Sequence, residues 1–425
     1  MTAPLPPRAP LMPLDEARRA VLEGLLPLAT TETVATVNAK GRFLAQDLVS
    51  PLQVPPQDNS SMDGYALCAA DVREARVVLR VSQRVPAGTS PHALEPGTAA
   101  RIFTGAPIPP GADTVVMQED TEPVGGDVHG VRLLSVPQAG QWIRRAGEDV
   151  TRGAVVLRRG QRIGPAEAGL AASLGRADLP VVARPRVALF STGDELVMPG
   201  ERAPEQMPAG AIYNSNRFML RALLEQLGCA VSDLGIVPDR REATVDALRQ
   251  AAQGHDLIVT SGGVSVGEED HIKPAVLQLG RLNLWQIAMK PGKPLAFGAV
   301  RRSDAADDSC HFMGLPGNPV SSFVTFLLLV RPFLLRLSGV ADPLALDAAR
   351  ALQLRADFDL PRPDRRREFL RVRRNTSGGL DLFPNQSSGV LTSAVWGDGL
   401  VDNPAGTAIQ RGDLVSYFSF SDLLA

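Results

Sequence analysis

From Val181 to Leu337, short apolar runs alternate with stretches of helical periodicity, and a polar or glycine-rich loop follows most of the runs. Val187 to Phe190 enters Ser-Thr-Gly. Asn214 stands where it would cap a helix carrying Met219, Leu220, Leu223, Leu224 and Leu227, which Gly228 would end. Val231 to Val237 reads as a strand and Glu242 to Gln253 as a helix. Asp256 to Thr260 is a continuous apolar strand entering Ser-Gly-Gly. A helix from Asp270 to Gly280 and a strand near Leu284 to Met289 follow. A strand apolar on both sides needs a cover on each face, so the alternation predicts a mostly parallel sheet between helices. Ligands of such sheets sit beyond the carboxyl ends of the strands.

The flanking sequence does not keep this rhythm. Leu14 to Leu26 has the spacing of an amphipathic helix. Turn-rich β patterns fill residues 51–145, with Val77 to Val81 and Thr114 to Met117 as clear runs, and 147–163 reads as a further hairpin. Pro165 opens a helix ending at Gly175. After about Ala341 the helical pattern stops. Arg367 to Arg373, Leu380 to Phe383, Gly389 to Ala394 and Asp413 to Phe420 read as strands of a small β-barrel or sandwich. The chain is therefore expected to be multidomain α/β plus β. An N-terminal helix, 14–30, would pack on an α/β domain, 181–340. A β-rich linking region would comprise 31–50 and 146–180, a small β domain 51–145, and a C-terminal β-barrel 341–425.

Four loops fall at the carboxyl edge of the expected sheet. Lys290-Pro-Gly-Lys-Pro294 holds two ammonium groups on a turn stiffened by two prolines and reversed at Gly292. Gly314-Leu-Pro-Gly-Asn-Pro319 leads into an apolar helix, whose start would present backbone N–H groups and a positive dipole end. Together they suit an oxyanion or phosphate. Ser261-Gly262-Gly263-Val-Ser265 lets backbone amides approach a phosphate but has neither the Walker A nor the dinucleotide pattern. The acidic run that follows, Glu268-Glu269-Asp270, could hold Mg²⁺ through oxygen ligands or simply cap the helix. Glu195, in Thr192-Gly-Asp-Glu195, could bind metal or accept a proton. Asp239 is either a ligand at another strand end or a turn aspartate. In the β domain, Asp58 and Asp63 could reach a metal or substrate or close Asx turns, and Thr104 sits in a proline-stiffened loop.

Bulk properties exclude other classes. A net charge of −2 and 5% aromatic residues give no footprint for nucleic acid and no stacking platform. Three scattered cysteines and five scattered histidines make neither a disulfide framework nor a zinc spacing, which fits a reduced cytoplasm. Phe323 to Val330 is too short an apolar run to span a bilayer, so no membrane association is expected.

Seven motifs occur in one order: Asp58-Asn-Ser-Ser-Met-Asp-Gly-Tyr65, Thr104-Gly-Ala-Pro107, Ala146-Gly-Glu-Asp149, Ser191-Thr-Gly-Asp-Glu-Leu196, Ser261-Gly-Gly-Val-Ser265, Lys290-Pro-Gly-Lys-Pro294 and Leu315-Pro-Gly-Asn-Pro319. In these the chain resembles the molybdopterin molybdenumtransferases, the MoeA family, whose eukaryotic relatives include the E domain of gephyrin. The resemblance runs from the N-terminal helix to Gln386-Ser-Ser-Gly389. It departs at Gln57, where relatives often carry an aromatic or apolar residue, and at Gly397, which replaces a common alanine.

The resemblance implies a homodimer that inserts molybdate into adenylylated molybdopterin, releases AMP and requires Mg²⁺. The molybdopterin adenylyltransferase would be a possible partner. It further implies catalytic roles for Asp58, Thr104, Asp149, Glu195, Lys290 and Lys293, with Asp58, Thr104 and Asp149 reaching the cleft of the partner subunit. Substrate would contact Ser261, Gly262, Gly263, Ser265, Pro294, Pro316, Gly317, Asn318 and Pro319. Arg366, Arg371 and Ser388 would serve the molybdate site, and Asp239, Asp270 and Glu195 the metal. Two alternatives stay open. One is the molybdopterin adenylyltransferase, which shares the α/β domain. The other is a non-catalytic scaffold of the same fold.

Overall fold

The computed structural model describes residues 11–125, 129–263, 271–303 and 308–424. At its centre is a six-stranded sheet in the order Ala230–Val237, Arg186–Thr192, Leu257–Ser261, Ser309–Leu315, Pro294–Arg301 and Gly280–Gln286. The first four strands are parallel. The last two join antiparallel, so the sheet is mixed. Successive side chains of the parallel strands enter different cores. Val187, Leu189, Leu257, Val259, Met313 and Leu315 point into one. Ala188, Phe190, Ile258 and Phe312 point into the other. The first core takes Leu14, Ala17 and Val21 of the helix Leu14–Leu22, and Leu220, Leu223 and Leu224 of the helix Ser215–Gln226. The second takes Val245, Leu248 and Ala251 of Arg241–Gly254 and Ile272, Ala275 and Val276 of Ile272–Leu279. Burial on both faces explains why the strands are apolar throughout, each full aliphatic burial contributing about 1.5–3 kcal/mol.

The helix after Gly314 to Pro319 is longer than the apolar run suggested. Pro319–Leu337 spans 19 residues with a mean hydropathy of 1.7, and 89% of that apolar window is buried within the protein. It is a core helix. Arg331 lies wholly inside it and pairs with Asp347 at 2.5 Å, while Arg18 reaches the same carboxylate at 2.6 Å. This ties the N-terminal helix to the core.

Residues 31–35 pair antiparallel with 178–182, and Leu48–Val49 pairs with Val155–Leu157. The expected hairpin within 147–163 is therefore not formed; its strand finds a distant partner instead. The small β domain is a six-stranded sheet in the order Thr114–Met117, Gly64–Leu67, Thr98–Ile102, Val78–Val85, Gly130–Leu133 and Thr121–Val124.

In the C-terminal region, Arg367–Arg374, Gly379–Leu382, Leu352–Ala356, Leu414–Ser419 and Gly399–Asn403 close into a five-stranded ring. Two sequence readings are corrected here. The helical pattern does not stop at Ala341, because Pro343–Arg350 is a helix whose first amides are capped by the Asp342 carboxylate. Gly389 to Ala394 is not a strand. Its alternation covers a turn and the start of the short helix Thr392–Trp396.

The barrel meets the α/β domain at one decisive place. The strand Met289–Lys290 adds to Arg367–Arg374 in parallel, with Met289 opposite Arg367 and Lys290 opposite Glu368. The Lys290 to Pro294 turn is thereby built into the seam between two domains.

Candidate active site

A cleft of about 640 Å³ opens along this seam, at the carboxyl edge of the parallel strands. Each strand-end loop contributes to it. Glu195 and Thr192 come from the first loop, Asp239 from the second, Gly262 and Gly263 from the third. The lysine turn supplies Lys290, Lys293 and Pro294, and the turn before the long helix supplies Pro316, Gly317 and Asn318. The barrel adds Arg366, Gln386, Ser387 and Ser388. A second chamber of about 620 Å³ shares Thr192, Glu195, Gly262, Gly317 and Asn318 with the first, and Ser261 and Pro319 line it.

Local chemistry fixes these loops. Gly292 has φ +105°, and a Cβ there would lie 2.5 Å from Thr325 Oγ1 and 2.6 Å from Met289 Cε. Only glycine lets the lysine turn close against the long helix. Gly193 has φ +144°, and a Cβ would sit 2.5 Å from a Glu195 carboxylate oxygen. The missing side chain is what allows Glu195 to fold back over its own turn. At the start of the long helix, the Val320 amide donates to the Ser388 carbonyl at 3.0 Å. Pro319 has no amide hydrogen to give. The barrel loop therefore takes one of the amides that the sequence had reserved for a ligand.

The three cations of the cleft differ in state. Lys290 Nζ lies 3.1 Å from Glu368 Oε1 and 3.4 Å from Asp364 Oδ2. Arg366 grips Asp364 with two parallel hydrogen bonds of 3.0 Å. That Arg366 grip holds the Asp364 carboxyl well below the usual carboxylate range, against the opposing pull of partial burial. Lys293 makes no side-chain hydrogen bond or ion pair among the described residues.

Some expected site residues lie elsewhere. Arg371 is 1% exposed and is not among the residues lining the cleft. Burial pulls its pKa down to about 10. Its backbone amide donates to Gln386 Oε1 at 2.9 Å, Gln386 returns a bond to the Arg371 carbonyl at 3.0 Å, and the guanidinium reaches the Ser387 carbonyl at 3.4 Å. Arg371 thus shapes the loop that carries Ser388 and does not itself line the cleft. Asp58, Thr104 and Asp149 sit in the β regions and do not line this cleft either. Asp58 accepts the Ala146 amide at 2.8 Å and Arg145 at 2.6 Å. Thr104 gives both its amide and its hydroxyl to Asp63 Oδ1. Asp149 and Thr104 are exposed. Ser265 and Asp270, with Glu268 and Glu269, lie outside the described residues.

Sequence reasoning missed Asn216. Its side-chain amide, 8% exposed with its residue, donates to Ser261 Oγ at 2.8 Å and to the Gly317 carbonyl at 2.7 Å. One side chain thereby braces the two glycine loops. It stands in the first turn of the helix that Asn214 opens, where a polar residue carries no signal of a bracing role. Ser321, Gln386 and Ser387 were also passed over as individual side chains, because small polar residues in turns carry no signal of their own.

Three family profiles match the chain in order: "MoeA N-terminal region (domain I and II)" over residues 12–175, "Probable molybdopterin binding domain" over 188–336, and "MoeA C-terminal region (domain IV)" over 353–420. A molybdopterin molybdenumtransferase of Haemophilus influenzae is 42% identical over 330 residues, covering 77% of this chain and 78% of the relative. Molybdopterin molybdenumtransferase 2 of Mycobacterium tuberculosis is 37% identical over 420 residues, 94% of this chain and 99% of the relative. The crystal structure of a molybdopterin biosynthesis MoeA protein from Pyrococcus horikoshii superposes with a TM-score of 0.81 at 28% identity, covering 97% of this chain and all of that one. With the strand-end cleft, the barrel seam and full-length relatives in agreement, the chain belongs to the MoeA family of molybdopterin molybdenumtransferases.

Proposed function

We propose that the seam cleft inserts molybdenum from molybdate into molybdopterin, acting on the adenylylated pterin and releasing AMP. The observation that carries this reading is the convergence of Lys290, Lys293 and Arg366 with glycine-rich strand ends on one cavity. A tetrahedral dianion and a diphosphate both need cations and backbone donors in a site partly shielded from water. Lys293, free of side-chain partners among the described residues, is the group best placed to take up the charge of the oxyanion. The amides of Gly262 and Gly263 suit phosphate oxygens. The connected second chamber gives an extended substrate room beyond the oxyanion.

Mg²⁺ fits this donor set. Among the described residues no three ligating side chains gather. Glu195 and Asp239 nevertheless line the same cleft, and Mg²⁺ commonly takes one or two carboxylates plus substrate phosphates. These two residues would hold it, with Asp270 as a third candidate. When bound it would add Lewis-acid charge at the phosphoanhydride.

The protein would act as a homodimer in which Asp58, Thr104 and Asp149 of one subunit face the cleft of the other. Support comes from their location: polar, at least partly exposed, and away from their own cleft. A reduced cytoplasmic setting is in keeping with Cys68, Cys229 and Cys310, all free thiols. An adenylyltransferase that hands over the activated pterin is the natural supplier. The alternative that this chain is itself that adenylyltransferase accounts poorly for a cleft whose wall includes barrel residues Arg366 and Ser388.

The test supplies adenylylated molybdopterin, Mg²⁺ and molybdate, and follows AMP release together with cofactor formation. Molybdate-dependent AMP release, lowered about 100-fold in Lys293→Ala, is expected. A folded protein that releases no AMP would sink the insertase assignment and favour the scaffold alternative.

A further inference from the structure

We propose that Asp364 and Glu368 are positioning residues that hold Lys290 and Arg366 in register for the oxyanion, and that the cleft works through this preset geometry and not through surplus positive charge. The inference rests on the reading that the oxyanion binds beside Lys293.

The four groups form one connected chain. The parallel register places Glu368 beside Lys290, and the residue is only 3% exposed. One Glu368 oxygen takes the Lys290 ammonium at 3.1 Å, and the other accepts the Asp364 amide at 2.9 Å. Asp364 closes on Lys290 at 3.4 Å and accepts three hydrogen bonds of 3.0 Å from Arg366, one from its amide and two from its guanidinium. Two cations and two carboxylates cancel, so that among the described cations lining the cleft Lys293 is the one without a carboxylate partner.

A site built only to concentrate anions has no use for two carboxylates against its cations. They do, however, fix in advance side chains that would otherwise lose their rotamer freedom when the ligand binds. Arg366 spends two of its guanidinium N–H groups on Asp364, so the remaining donors of the planar fork keep a set orientation for a ligand. Lys290 likewise keeps a donor beyond its two carboxylate contacts.

The two accounts predict opposite signs. Asp364→Asn and Glu368→Gln each remove one negative charge from beside the cleft's cations while keeping shape. A cleft governed by net charge would then bind molybdate more tightly. Positioning requires the reverse. The expected result in the full-length enzyme is a KM for molybdate raised about tenfold in Asp364→Asn, with kcat at saturating molybdate and the KM for adenylylated molybdopterin unchanged. Glu368→Gln should behave alike, and thermal melts of both variants confirm that the fold is kept. A molybdate KM that is unchanged or lower in both variants overturns the proposal. Lys293→Ala runs beside them. If it leaves the molybdate KM unmoved, the placement of the oxyanion itself falls, and the proposal with it. If it raises that KM while the carboxylate variants do not, only the positioning role fails.

Discussion

The seam cleft and the β-domain polar set show two ways in which a chain uses charged side chains. In the cleft, residues spread from Thr192 to Ser388 converge on one cavity within a single subunit. In the β regions, Asp58 and Asp63 spend their oxygens on nearby loop amides, Arg145 and a threonine, while Thr104 and Asp149 stay at the surface. The first arrangement is complete enough in one chain to suggest its chemistry. The second acquires a catalytic meaning only if another surface is brought against it.

The sharpest way to break this contrast is a mixing experiment. Lys293→Ala and Asp58→Asn should each lower molybdate insertion by about 100-fold or more, the scale of losing one preorganised electrostatic contact. Mixed after subunit exchange, the two inactive proteins should recover about one quarter of wild-type activity, because half the dimers are mixed and each mixed dimer holds one intact site. Sites formed wholly within a subunit would give no recovery, and the β-domain set would then be structural.

A second prediction concerns how rigid the cleft must be. Gly292→Ala forces a Cβ into Thr325 and Met289 at a positive φ. Overpacking of this kind costs about 1–3 kcal/mol. A lowered melting temperature and a larger loss of activity are expected. Normal turnover with an unchanged melt would show that the lysine turn tolerates slack. Arg371→Met comes next in size. It should raise the KM for molybdate several-fold by releasing the guanidinium's hold on the Ser387 carbonyl, with a stability loss of about 1–2 kcal/mol from the guanidinium's lost hydrogen bonds to Ser393, Phe369 and Ser387. A loss as deep as that of Lys293→Ala would mean that Arg371 touches the oxyanion after all.

The contrast also explains what the sequence could reveal. Strand-end loops such as Ser261 to Gly263 and Lys290 to Pro294 were legible because glycine and proline punctuate apolar runs locally, and parallel strands bring all such ends to one edge. The placement of Arg366 and Glu368 was not legible in that way. It depends on Met289–Lys290 pairing with a strand almost eighty positions away. The helices Pro343–Arg350 and Thr392–Trp396 escaped for a different reason: each is short, and turn residues border it. Arg371 was misplaced because an arginine near a rim arginine reads as another ligand until its burial is known.

The smallest effect separates function from stability in the β-domain set. The Ala146 amide, and with it Arg145, holds the Asp58 carboxyl below the usual carboxylate range despite the opposing cost of partial burial. A depressed carboxyl stabilises the folded state above its unfolded pKa and loses that contribution as pH falls through its folded value. Asp58→Asn should therefore destabilise the protein near neutrality and match wild type in strong acid. The carboxylate is 38% exposed, so solvent screens the pair, and the cost should stay below about 1 kcal/mol. Melting curves of the variant between neutral and acidic pH measure it. A small, acid-fading stability change beside a large activity loss would assign Asp58 to chemistry, and the mixing experiment then tells whose cleft it serves. A stability loss of several kcal/mol would instead make it a loop brace, and the two regions of the molecule would no longer share a function.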